Sequence, residues 1–100
     1  KPSSFTMTVP AREDDSDIVI GRALGYASEM HNALVEIKNN IYIYKDNEFL
    51  VDKIQEIIKN LKNLKPWKTF NKFCLLMHWP NIKNQIITNV HNGKLIGLHL

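Results

Sequence analysis

Between Asn47 and Leu64 the apolar residues Leu50, Val51, Ile54, Ile57, Ile58, Leu61 and Leu64 recur at intervals of three and four. That spacing places them on one side of an α-helix, with Asp52, Gln55, Glu56, Lys59, Lys62 and Asn63 opposite. A strand would scatter the same set over both of its faces. The segment therefore commits the chain to at least one amphipathic helix, which needs something to cover it.

Two further segments show the same period. From about Asp17 to Lys38, residues Ile20, Ala23, Leu24, Ala27, Met30, Leu34, Val35 and Ile37 share a face. EDDSD at 13–17 precedes them and supplies the side-chain acceptors and negative charge that suit a helix N-terminus. Gly21 and Gly25 sit four apart beside that face; in a helix each costs roughly 1 kcal/mol, so a close backbone approach by a partner is one reason to keep them. The third segment is KPWKTFNKFCLLMHWP, residues 65–80. Its Trp67, Phe70, Phe73, Cys74 and Met77 form a face of core composition. Leu75, Leu76 and Trp79 add apolar bulk on the lysine side, which predicts burial of the C-terminal end of this helix. Trp79, beside Pro80, is expected to keep a partly exposed ring able to anchor a partner.

Extended structure is expected at both ends. Phe5, Met7 and Val9 alternate with threonines and read as a short strand ended by Pro10. IYIY at 41–44 favours a strand after a break at Asn39–Asn40, although Ile37, Ile41 and Tyr44 also continue the helical stripe. Near the C-terminus, Asn92-Gly93 between β-prone runs predicts a hairpin; the competing reading makes 81–91 a fourth helix capped by Asn92 and Gly93. The fold class that follows is mainly α: one domain over residues 1–100, three helices, short terminal strands, a C-terminal β-hairpin, and residues 1–15 as an extended or mobile arm. Pairing of those strands as an antiparallel sheet on the helices would make the class α+β.

Composition narrows function more than it identifies it. No apolar run approaches the ~20 residues of a membrane span. KPSSFTMTVP lacks the apolar core of a secretory signal, and the missing initial Met suggests a processed or excised chain. Cys74 is the only cysteine, which excludes an internal disulfide and a cysteine-rich zinc module and points to a reducing, intracellular compartment. Cys74 and His78 are spaced i, i+4, but with His91 and His99 they match no metal motif, and no third group orients a Cys/His nucleophile pair. No catalytic residue, metal or cofactor is assigned, and the chain reads as a non-enzyme.

Charge is uneven. Residues 1–20 and 21–52 each carry a net charge of −2, and residues 53–100 carry eight lysines against Glu56 alone. Either the two halves neutralise one another on folding, or the basic half faces an acidic partner. Lys59, Lys62, Lys65, Lys68 and Lys72 form a ribbon able to meet phosphates without sequence preference. A solvated helix face accounts for the same lysines, and the absence of arginine in this half argues against base reading.

The resulting expectation is a protein-interaction or assembly module, self-associating as a homo-oligomer, with a lysine/asparagine/isoleucine bias that suits a viral or phage accessory protein. Its partner-binding surfaces would be Gly21, Gly25, Tyr42, Tyr44, Trp79, Leu95, Ile96 and Leu98, because three apolar stripes and LIGLHL exceed what so short a chain readily covers. Binding of nucleic acid or an acidic surface through the lysine ribbon is the alternative.

Overall fold

The computed structural model describes residues 6–99. It is mainly α: β1 (Thr6–Pro10), α1 (Asp17–Ile43), α2 (Glu48–Lys59), a 3-10 turn (Leu61–Asn63), α3 (Lys65–Met77), α4 (Pro80–His91) and β2 (Leu95–His99). Phe5, counted in the N-terminal strand from sequence, and Leu100 lie outside the described residues.

α1 starts where Ser16 accepts from the Val19 N–H at 3.2 Å; just before it, Asp15 takes the Arg12 N–H at 2.8 Å and the Arg12 guanidinium at 3.2 Å. The helix does not stop at Lys38. Asn39 and Asn40 remain helical and IYIY adds no strand, because Ile37 and Ile41 continue the stripe that α2 half-covers. Tyr44 closes α1 by donating its N–H to the Asn40 carbonyl at 2.9 Å, and Asn47 caps α2 by accepting from the Leu50 N–H at 3.1 Å.

The helix expected over 47–64 ends early, at Lys59. Asn60 turns its side-chain amide back onto the Glu56 carbonyl at 3.1 Å, a local bond that competes with helix continuation. The chain then tightens into the 3-10 turn, which buries Leu61. Pro66 lies in the first turn of α3, where its missing N–H costs nothing.

α3 ends on His78, the one described non-glycine residue with left-handed backbone, at φ 56°. Its N–H reaches the Leu75 carbonyl, and the Trp79 N–H reaches Cys74 at 2.9 Å. The reversal carries Trp79 back against Phe73, ring edge to face at 6.1 Å and 86°. Trp79 is thus 2% exposed, not a surface anchor, and among the described residues its indole N–H has no hydrogen-bond partner. The Arg12 guanidinium lies 5.0 Å from the centre of its ring.

Asn92-Gly93 terminates a fourth helix instead of turning a hairpin. A type I′ turn needs positive φ at both residues, and Asn92 has φ −87° while Gly93 has φ +75°. The Gly93 N–H bonds to Val90 and the Lys94 N–H to Asn89, each at 3.0 Å, which closes the helix end. β2 instead pairs in parallel with β1, Thr6 beside Leu95 through Pro10 beside His99. The sheet is therefore parallel, against the antiparallel alternative, and it joins the two ends of the chain. Within the segment read as an arm, residues 6–10 are paired and Val9 is buried.

The core is built from Val9, Ala23, Ala27, Met30, Leu34, Leu61, Trp67, Phe70, Phe73, Cys74, Trp79, Ile86 and Val90. Trp67, Phe70 and Phe73 face inward, as their spacing predicts. Tyr26 from α1 lies over Phe73 with ring centres 5.1 Å apart. Leu75 and Leu76 depart from expectation. They lie to either side of the Phe73–Cys74–Met77 face and stand exposed, so α3 is not buried all round at its C-terminal end.

Candidate functional site

α1 has 27 residues, about 40 Å at 1.5 Å each, but its buried residues end at Leu34. Its last turns run past the core, and α2 folds back along them. α2 has the most regular apolar stripe in the chain, yet none of its residues is fully buried. Leu50, Val51, Ile54 and Ile58 are half-covered, while Phe49 is 67% exposed and Ile57 42%. At the bend, Tyr42 is 73% exposed, with Ile43 and Tyr44 also open. Lys45 and Lys53 lay their ammonium groups 5.0 Å and 5.4 Å from the Tyr42 and Phe49 rings. The α1–α2 arm thus exposes more large apolar side chains than any other part of the described chain, within a molecule measuring 50 × 32 × 18 Å.

The other surfaces named from sequence fare differently. Tyr42 and Tyr44 are exposed on the arm. Ile96 and Leu98 are half-buried against the core; Leu95 and His99, at the two ends of that strand, stand open. Gly21 and Gly25 are exposed, and a Cβ at either would meet nothing within 4 Å. Among the described residues no close approach occurs there. It occurs at Ala23 and Ala27, whose side chains are 0% and 3% exposed. Gly21→Ala and Gly25→Ala should each stabilise the fold by about 0.5–1 kcal/mol, read as a raised denaturation midpoint. Destabilisation by either would mean that the glycine is needed for a contact. Ile57 was missed as a surface residue because periodicity announces an apolar face without saying whether it is covered, and Phe49 because it was not counted in that face.

The lysine ribbon is partly assembled. Lys62, Lys65, Lys68 and Lys72 line two adjoining grooves along α3, and Lys59 stays at the end of α2. Lys83 of α4, not singled out from sequence, joins them with its ammonium 2.9 Å from Asn71 Oδ1. Among the described residues the ion pairs are those of Arg12 with Asp14 and Asp15, so direct pairing between the acidic and basic halves does not neutralise these lysines.

Two potentially reactive groups are occupied by structure. Burial raises the Cys74 thiol to about 11, outweighing the opposing pull of Lys83, and keeps it protonated at neutral pH. His91 Nε2 accepts from the Trp67 indole N–H at 2.9 Å, across rings 5.9 Å apart. Burial, and secondarily the charge of Lys38, lower the His91 pKa, which favours the neutral imidazole that this bond requires. Among the described residues no group of three His, Cys, Asp or Glu side chains stands close enough to hold a metal, and no helix is long and apolar enough to cross a membrane. No family model, curated protein or solved structure matches the chain.

Proposed function

We propose that this protein is a non-catalytic assembly module that self-associates through its α1–α2 arm. One observation carries the reading: the most regularly amphipathic helix of the chain buries none of its residues, Phe49 and Ile57 stand open on it, and Tyr42, Ile43 and Tyr44 stand open at the adjoining bend. A second copy is the occupant that fits this surface. Glu48 begins α2 and Lys59 ends it, so two α2 helices set antiparallel about a two-fold axis near Lys53–Ile54 bring each Glu48 opposite Lys59 of the second copy. The same register sets Phe49 opposite Ile58 and Leu50 opposite Ile57. Two such arms make an antiparallel four-helix arrangement, which is how paired helices ordinarily cover a shared apolar seam.

Sedimentation equilibrium over a range of concentrations, at low and high salt, tests this. The expected result is a salt-resistant doubling of mass. Phe49→Ser combined with Ile57→Ser should weaken association at least about 100-fold, since each loss is counted twice across a two-fold interface. Both residues are exposed, so the variant monomer should keep its helical circular dichroism. A chain that stays monomeric at about 0.1 mM, well above the micromolar range of a modest dimer, overturns the proposal. So does association that the double variant leaves intact.

A further inference from the structure

We infer that the lysine-lined face of α3 and α4 is a second binding site, separate from the arm, for the phosphate backbone of duplex nucleic acid. One groove is lined by Asn63, Lys65, Lys68, Thr69 and Lys72. Beside it a second runs between α3 and α4, lined by Lys62, Lys68, Asn71, Lys83 and Asn84 together with Trp67 and Ile87. Lys68 belongs to both, so the two form one basic track. Among the described residues no carboxylate lines either groove and none of the five lysines is in an ion pair, and no Asp or Glu occurs after Glu56.

The neutral polar side chains between the lysines are amides and a hydroxyl, which can also donate to phosphate oxygens. Lys65, Lys68 and Lys72 climb one side of α3 over about 10 Å, so the charge is spread along a line and suits an extended polyanion more than a single phosphate. An acidic peptide would want an apolar anchor here, but Trp67 is buried and its indole N–H is held by His91. Single strands bind by stacking bases on exposed rings, and Trp67, Phe70 and Phe73 are all interior. Duplex phosphates offer the denser charge and need no stacking ring. With no arginine on this face, recognition is by charge and not by sequence.

The test is fluorescence anisotropy of the full chain with a labelled mixed-sequence duplex of about 16 base pairs, a length ample for one small module. Raising salt from about 50 to about 200 mM should weaken binding roughly 100-fold, as expected for about four neutralised phosphates. Lys68→Gln with Lys83→Gln should reduce the log–log salt slope by about two. Lys65→Gln with Lys72→Gln, both fully surface positions, should do the same and guards against a folding defect at Lys83. Arg22→Gln with Lys38→Gln, exposed on α1 and lining neither groove, should leave the slope unchanged. Absence of binding at low salt overturns the inference, as does a slope indifferent to both the Lys68/Lys83 and the Lys65/Lys72 variants. Tighter binding to oligothymidylate than to the duplex overturns it too, and so does binding to phosphatidylserine vesicles without binding to the duplex. The arm variant Phe49→Ser/Ile57→Ser leaves this face intact, so either proposal can fail without the other.

Discussion

Replacing Phe70 by alanine should remove about 3–5 kcal/mol of stability and lower the melting temperature by roughly 15–25 °C. The ring is completely buried, with Tyr26 centred 6.3 Å away on one side. A domain of this size has about 5–15 kcal/mol in total, so the loss is a large share of it. The cavity would open where α1 crosses α3, and partial collapse decides where in that range the value falls. Thermal and denaturant unfolding followed by circular dichroism measure it. A loss under about 1 kcal/mol would mean that the ring is not core, and the aromatic face of α3 would then become eligible as a stacking platform for bases.

Ala23→Leu should destabilise by about 1–3 kcal/mol, opposite in sign to the gain expected from Gly21→Ala two positions earlier. Ala23 is 0% exposed on the side of α1 that packs on the core, so three added carbons have no space to enter. Gly21 lies on the open side, where a methyl group meets nothing within 4 Å. Denaturant midpoints of the two variants, measured side by side, give the contrast. Two gains, or two losses, would mean that α1 is rotated about its axis relative to the packing described.

These neighbours also mark the limit of reading function from the sequence. Periodicity located α1, α2 and α3 and turned Trp67, Phe70 and Phe73 inward, because a helix repeats its environment every third or fourth residue. It could not say which apolar faces find cover. α2 has the clearest stripe and little covering it, whereas Trp79 lies at an element end and is enclosed. The enclosure follows from left-handed backbone at His78, a conformation histidine adopts only occasionally. Asn92-Gly93 failed as a hairpin signal because glycine with positive φ serves a helix stop equally well, and the residues before it decide between the two. The union of β1 with β2 spans nearly the whole chain and leaves no local trace. For the basic track, the spacing within α3 was legible, but Lys83 comes from another helix and only the folded arrangement supplies it.

The parallel ribbon has a mechanical corollary. The chain enters β1 at Thr6 and leaves β2 at His99, which are opposite ends of the paired segment. Tension drawn between the two exits slides one strand along the other and loads every rung at once. In an antiparallel partnership of the same terminal strands both exits would fall at one end, and the rungs would part singly, like a zipper. The ribbon therefore resists a pull between Thr6 and His99 with all its rungs together, and gives way only when they fail as a set.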